Sequence, residues 1–337
     1  MNNYNEDIFK VSYDKNLEEE VEKLFVFWRK EGYPNYKKES YDKEKELNKL
    51  IKYDETKIFD YETKKLKQTM HGCGFLWTYF PHWIEVKCGD AKYTLLENWN
   101  DDEKLKTLIK KTYKWELKHG NGNFTINRLR QNSKVYLNKQ TVSNFRPTVA
   151  KFLYNKFGNN GVVWDMSCGW GGRMLGFLSS NCKKYTGTDP STKTFKGLND
   201  LKKDYEYVNK EIELHNIGSE EFIPEKNSLD LCFTSPPYFD TEKYSNEKTQ
   251  SYIKYNTEDL WIDGFLRKTI KNCYYGLKKD GYMIINIANV KTAPNLESSV
   301  VKISLEEGFK YIDTYKLILS SISGKGYKYE PVFIFKK

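Results

Sequence analysis

The sequence predicts an α/β fold in its C-terminal part, a doubly wound and mostly parallel sheet, preceded by a smaller N-terminal α+β domain. Three observations predict it. From about residue 141 short apolar runs alternate with amphipathic stretches, the pattern of a parallel sheet covered by helices on both faces. Ahead of residue 140 the pattern is different, with polar helical stretches followed by an aromatic-dense one. The 337 residues accommodate two domains at roughly 100 to 200 residues each, so the boundaries fall at 1–140 and 141–337.

Taken in order, "NLEEEVEKLFVFWRKEGYP" carries acids in its opening turn and a proline at its end, the marks of a helix with satisfied termini. A second charged helix is expected near 40–52. "HGCGFLWTYFPHWIEVKCGDAKYTLLENW" is rich in aromatic and β-branched residues and is expected to form short strands, followed by a basic helix near 101–119. Beyond residue 141 the expected helices are "TVAKFLYNKFG", "GRMLGFLSS", "STKTFKGLNDLKKDY", "EDLWIDGFLRKTIKNCYYGL" and "LESSVVKISLEEG". The strands between and after them are "GVVWDMS", "KYTGTDP", "EIELHNIG", "SLDLCFTSPP", "GYMIINIANV", "YIDTYKLIL" and "PVFIFKK". In such sheets ligands bind beyond the carboxyl ends of the strands.

Composition narrows the class. Apolar residues make up 39% and charged residues 30% of the chain, which excludes a disordered chain. No apolar run reaches the roughly 18 residues of a membrane span, and "MNNYNEDIFK" lacks a leader's basic and apolar regions. The expectation is a cytoplasmic protein without a membrane partner. Six scattered cysteines without paired spacing are expected to be reduced thiols. His71, Cys73, His82 and Cys88 lack the Cys-x2-4-Cys knuckle of a zinc site, so that stretch is read as aromatic core and no metal is expected.

The formal charge is +9, and its distribution says more than its size. Between Lys104 and Trp164 thirteen Lys or Arg face one acid, Glu116. Arg128, Arg130, Lys134 and Lys139 lie in this block and are candidates for nucleic-acid contact, since cations on a polyanion release counterions. A solvated, lysine-rich face accounts for the same run.

Two turns carry the chemistry. Asp165-Met166-Ser167-Cys168-Gly169-Trp170-Gly171-Gly172-Arg173 joins a strand to a helix. Glycines there let backbone approach a ligand closely and aim helix N-terminal amides at it. The spacing matches neither GxGxxG nor GxxxxGK[ST]. Asp189, about twenty residues on at the next strand's tip, is placed to accept from ribose hydroxyls. A nucleoside-like cofactor is implied, with Asp165 set to meet an ammonium group.

These two turns, followed in order by Thr234-Ser235-Pro236-Pro237-Tyr238 at the end of a later strand, resemble the motifs of S-adenosylmethionine-dependent DNA amino-methyltransferases, which methylate N4 of cytosine or N6 of adenine. The resemblance covers residues 141–337, and the serine-proline-proline-tyrosine corner is its most specific part. It implies a Rossmann-like methyltransferase domain whose last strand, "PVFIFKK", is antiparallel, with S-adenosylmethionine as cofactor. It also implies that "SNFRPTVAKFLYNKF", with Phe145 and Arg146, packs over the cofactor's methionine end, and that Ser167, Gly169, Gly171 and Gly172 line the cofactor. Where the family frequently has an acid near the adenine ring, this chain has Gly218-Ser219-Glu220, and Glu220 is the candidate.

An exocyclic amine is conjugated with its ring, so its lone pair must be drawn out of the plane before it attacks a methyl group. The Ser235 hydroxyl and the Pro236 carbonyl can accept its two protons, Pro237 stiffens the turn, and Tyr238 offers a face for a flipped base. In the family, Ser after Thr goes more often with N4-cytosine and Asp or Asn with N6-adenine. The expected activity is therefore methylation of DNA, N4-cytosine ahead of N6-adenine. The alternatives are a base amine in RNA, or a nucleic-acid-binding protein whose methyltransferase domain is idle. Residues 1–140 are the candidate target-recognition domain, and 239–256 a candidate lid.

Overall fold

The computed structural model describes residues 9–120, 122–138, 140–322 and 326–337. Two compact units emerge. The first is Met1–Tyr36 with Pro81–Val142, the second Lys37–Phe80 with Ser143–Lys337. The N-terminal unit is thus not the continuous stretch 1–140, because residues 37–80 fold with the sheet-bearing part.

In the first unit, helix α1 (Leu17–Glu31) starts where the Asn16 side chain accepts from the Glu18 amide, and it carries Glu18, Glu19 and Glu20 in its first turn. Helix α2 (Asp102–His119) is capped by Asp101, and α3 (Ile126–Tyr136) by Thr125. Their apolar stripes bury Leu24, Trp28, Leu105, Leu108, Ile109, Tyr113 and Leu129 in one core, as spacing of three and four residues requires.

Short strands were expected across 71–99, and the structure differs. Only Lys87–Cys88 is extended, whereas Cys73–Leu76, Pro81–Glu85 and Leu95–Asn100 are helical turns. The reason is local. Thr94 and Glu97 close a reciprocal capping box that fixes a helix start, and tight turns bury Phe75, Phe80, Trp83 and Trp99 almost completely. Aromatic density marked the core but not the backbone that delivers it.

The second unit is built on a sheet whose main strands are β1 (Val162–Asp165), β2 (Lys184–Thr188), β3 (Glu211–His215), β4 (Leu229–Thr234), β5 (Leu277–Asn286), β6 (Lys310–Ile322) and β7 (Gly326–Lys336). Their spatial order is 6-7-5-4-1-2-3. β1 to β5 are mutually parallel, and β7 runs antiparallel between β5 and β6. Two short strands, Phe59–Asp60 and Lys65–Leu66, extend the sheet beyond β6. Helices α4 (Pro147–Phe157), α5 (Gly172–Leu178), α6 (Thr192–Asp204), α7 (Lys268–Gly276) and α8 (Leu296–Glu306) connect or flank the strands. This is the expected doubly wound α/β domain with an antiparallel final strand. Every residue of β4 is buried, as a central strand covered on both faces must be.

Candidate active site

β1 and β4 are neighbours, with Val163 opposite Leu231 and Trp164 opposite Cys232. Their carboxyl ends therefore emerge side by side. The Thr234 hydroxyl donates to Asp165 Oδ1 at 3.2 Å, so the serine-proline-proline-tyrosine corner begins one residue from a direct contact with the glycine turn's first residue.

The glycine turn is held from three sides. Gly171 has φ of +72°, a left-handed geometry that side chains with a Cβ disfavour. At Gly172 a Cβ would lie 1.9 Å from the Phe145 carbonyl oxygen and 2.4 Å from Asn144 Oδ1. Only glycine admits the segment before α4 this closely. Asn144 fastens it by donating to the Trp170 carbonyl at 2.7 Å and accepting from the Gly172 amide at 3.1 Å. Phe145 lies edge-on to Phe233 of β4 at 5.4 Å, and Arg146 donates to the Asn144 carbonyl and to Cys73 Sγ. The segment with Phe145 and Arg146 thus packs on the glycine turn, and Asn144, which the sequence reading passed over, is its anchor.

Asp165 requires a correction. It is fully buried, and its carboxylate accepts from Arg173 Nε at 2.9 Å, the Tyr185 hydroxyl at 2.8 Å, the Thr234 hydroxyl and the Ser167 amide. No face is left for an incoming ammonium group. A buried carboxylate needs such partners to remain charged, and Arg173 supplies the charge. Asp165 therefore organises the turn rather than facing a ligand.

Asp189 sits at the tip of β2. Its carboxylate accepts from the Gly169 amide at 2.9 Å and the Ser191 amide at 3.0 Å. Burial nevertheless outweighs these bonds and pushes its pKa up to about 7. Glu220 after β3 is buried as well. One oxygen pairs with Lys254 at 2.9 Å, and the other has no hydrogen-bond partner among the described residues. An unpaired buried acceptor costs about 1–3 kcal/mol, and a donor hydroxyl or amine would satisfy it. The close-approach glycine turn, the Asp189 carboxylate and this orphan oxygen together fit a nucleoside-bearing cofactor.

At the corner itself Pro236 is buried, while Ser235, Pro237 and Tyr238 remain partly accessible. The Tyr238 hydroxyl donates to Glu330 Oε2 at 2.9 Å and lies 3.4 Å from the Asn286 carbonyl. Burial and the facing Glu330 carboxylate raise the phenol's pKa well above its ordinary value. The next residue, Phe239, has φ of +55°, a geometry that costs a residue with a Cβ about 1–2 kcal/mol. Its ring is buried edge-on to Trp261, so packing holds the corner in a backbone state it would otherwise leave.

The candidate lid, 239–256, contains a strand at Glu242–Lys243 and a helical turn at Ser251–Lys254. It is fastened to the start of α6 and to the glycine turn. Glu247 accepts from the Thr192 amide at the start of α6, Thr249 donates to the Pro190 carbonyl at 3.1 Å, and Tyr244 lies against Trp170 of the glycine turn. Lys254 closes the far end on Glu220.

The nucleic-acid candidates divide. Arg130 is buried, with its guanidinium spent on the Pro34 and Asn35 carbonyls and stacked on Tyr36. It cannot reach a phosphate, and its contact role is withdrawn. Arg128 pairs with Glu116 at 3.0 Å and covers Trp115. Lys134 lies over Trp83 and is partly exposed, and Lys139 lies outside the described residues. Of the block's thirteen cations, Lys106 pairs with Glu22, Lys110 with Glu18 and Lys104 with Asp101, all acids outside it.

Residues 229–337, which begin at β4 and include the corner, match the family model described as DNA methylase, the N6/N4 methyltransferases. Over this segment, about a third of the chain, the sequence is similar to that family. The match bears out the family read from the motifs and, with it, S-adenosylmethionine as the cofactor. No curated protein sequence matches the chain. Among solved structures, magnesium protoporphyrin IX methyltransferase from Synechocystis PCC 6803 with bound S-adenosylmethionine is 14% identical, with 56% of this chain and 76% of that one covered at a TM-score of 0.39. A geranyl diphosphate methyltransferase in complex with sinefungin is 10% identical (56% and 77%, TM-score 0.40), and the 4+2 cyclase SpnF 10% (57% and 81%, TM-score 0.41). No helix among the described residues is long and apolar enough to cross a membrane.

Proposed function

We propose that this protein methylates the exocyclic amine of a base in DNA, N4 of cytosine ahead of N6 of adenine. The observation that carries the reading is the adjacency of two turns, the corner Ser235–Tyr238 leaving β4 where the glycine turn leaves β1. S-adenosylmethionine supplies an electrophilic methyl group on a sulfonium. The glycine turn, with Ser167, Gly169, Gly171 and Gly172, and the carboxylates Asp189 and Glu220 would hold it.

The chain's own work is at the amine. Ser235 and the Pro236 carbonyl accept its two protons, which draws the nitrogen lone pair out of conjugation, and the rigid turn keeps both acceptors in place. Rigidity matters because misplacement of about 1 Å can cost on the order of a hundredfold in rate. Tyr238 offers its ring to the base while its hydroxyl is tied to Glu330. Serine at the first position supports cytosine over adenine.

Mass spectrometry of nucleosides from DNA and RNA incubated with the protein and methyl-labelled cofactor tests substrate and atom together. Label at N4 of deoxycytidine is the expected result. Label at N6 of deoxyadenosine corrects the base, label only in RNA favours the alternative polymer, and no transfer with intact cofactor binding favours an idle domain. Ser235→Ala should lower methyl transfer at least about a hundredfold and leave the cofactor's dissociation constant within about twofold.

A further inference from the structure

The strand order places a β-hairpin on the substrate side of the sheet. β7 runs antiparallel between β5 and β6, so the carboxyl end of β6 and the amino end of β7 meet beyond the carboxyl edge where the corner sits. The ladder of β5 with β7 ends at Asn286 opposite Val332, and Pro331, with no N–H to donate, stops it there. On the other side β6 pairs with the short strand Lys65–Leu66 only at Lys316 and Leu317. Gly326–Pro331 is therefore laddered to β6 alone, an arm of about 20 Å at about 3.4 Å per residue. Its root touches the corner, since Glu330 accepts from the Tyr238 hydroxyl at 2.9 Å.

The arm's surface carries one sign of charge and much aromatic area. From Lys316 to Tyr329 the sequence holds three lysines, Lys316, Lys325 and Lys328, and no acid. Lys325 lies outside the described residues. Strand alternation sets Tyr327 and Tyr329 on one face and Lys328 with Glu330 on the other. Tyr327 is 56% and Tyr329 51% exposed, and Lys316 and Lys328 are exposed as well. Lys316, paired across the ladder with Pro331, shares the face of the two tyrosines and holds its ammonium group 5.5 Å from the Tyr329 ring centre. Each face of the ribbon thus offers a cation to solvent.

Resting on the methylation reading above, we infer that this arm is a DNA-binding ribbon that lies against the duplex beside the flipped base. A base reaches the corner only if its duplex lies over the carboxyl ends of β4 and β5, and the arm rises from that edge. The major groove, about 12 Å wide, admits a two-stranded ribbon. Lys316 and Lys328, on opposite faces, meet phosphates on the two sides of the groove and release their counterions. Tyr327 and Tyr329 lay their rings on base and sugar edges. Lys328 stands on the face of Glu330, about 7 Å from it along the strand, which brings its phosphate next to the target nucleotide.

The test measures binding of the full chain, without cofactor, to a fluorescein-labelled DNA duplex of random sequence over a range of salt concentrations. Lys328→Ala should weaken binding and flatten the slope of log affinity against log salt by about 0.9. The double variant Tyr327→Ala/Tyr329→Ala should weaken binding at least about fivefold and leave the slope as it is. Melting temperature and S-adenosylmethionine affinity should match wild type in both, which separates lost contacts from a damaged fold. A matched RNA duplex, whose major groove is too narrow for a ribbon, should not respond to either change. Wild-type DNA affinity and slope in both variants overturn the proposal, as does a wild type that binds no duplex, or a loss seen on RNA alone. Tyrosine variants that break up a wild-type oligomer and bind DNA normally assign the arm to a second copy of the chain instead. If wild type methylates DNA and the variants bind as it does, the arm fails and the function reading stands. If the arm variants lose DNA affinity but wild type methylates nothing, the arm stands and the function reading fails.

Discussion

Asp189 illustrates how one residue's environment sets the condition for binding. Its carboxylate is buried, accepts from two amides and is lifted to about 7. A ribose hydroxyl bonds better to the charged form, so cofactor affinity should be full above pH 7 and fall as pH drops through it. Calorimetric titration from pH 8 to 5.5 should show this fall, and Asp189→Ala should weaken binding at least about tenfold, the low end for a hydrogen bond to a charged group. A dissociation constant indifferent to both changes would remove Asp189 from the cofactor site. Asp165 teaches the opposite lesson, since its oxygens are saturated by Arg173, Tyr185, Thr234 and the Ser167 amide. Arg173→Met should leave that carboxylate buried without a countercharge and cost about 3–5 kcal/mol, read as a large drop in melting temperature rather than a selective loss of binding.

Among the elements, the strands and helices after residue 141 were legible because their period is regular and their turns carry glycine or proline at fixed points. Stretch 71–99 was not, since aromatic residues fill helical turns and strands equally well and only the Thr94–Glu97 box distinguishes them. Ser235–Tyr238 was legible as a motif, but the partner that ties its tyrosine was not. Glu330 lies 92 residues from Tyr238 in sequence, and nothing local announces the pairing. The segment 239–256 likewise read as a polar loop, although Glu247, Thr249 and Lys254 fasten it to Thr192, Pro190 and Glu220. Lys254→Ala should release its far end and leave both Glu220 oxygens without a partner. Hydrogen exchange across 239–256 should quicken in this variant, and added cofactor should restore protection if Glu220 then meets the ligand. Unchanged exchange would mean that the other two ties suffice.

At the scale of the whole molecule, the division near residue 140 suggested by composition does not match how the chain folds, and the difference has a measurable consequence. Lys151 on α4 is buried, yet its ammonium group donates to the carbonyls of Leu50, Ile51 and Tyr53 at 2.9–3.3 Å and pairs with Glu55 at 3.1 Å. All four partners lie in 37–80, as do the two short strands that extend the sheet beyond β6. Charge counting placed Lys151 in a basic block and saw a surface cation, because the acid and the carbonyls that satisfy it are about a hundred residues away in sequence. A fragment beginning at 141 keeps every motif of the cofactor site but removes all four partners of this lysine and opens the edge of β6. Loss of the buried Leu47, Leu50, Ile58, Phe59 and Leu66 side chains, each worth about 1.5–3 kcal/mol when fully buried, removes a large share of the 5–15 kcal/mol by which a typical domain is stable. The fragment 141–337 should therefore aggregate or melt far below the full chain and should fail to bind cofactor. Lys151→Met, which strips the Leu50, Ile51 and Tyr53 carbonyls of their donor, should destabilise the full chain by at least about 1–3 kcal/mol and change the fragment little, since those carbonyls are absent from it. Thermal unfolding of the four proteins reads both effects, and a fragment as stable as the full chain would show that 37–80 is an ornament on the sheet rather than part of it.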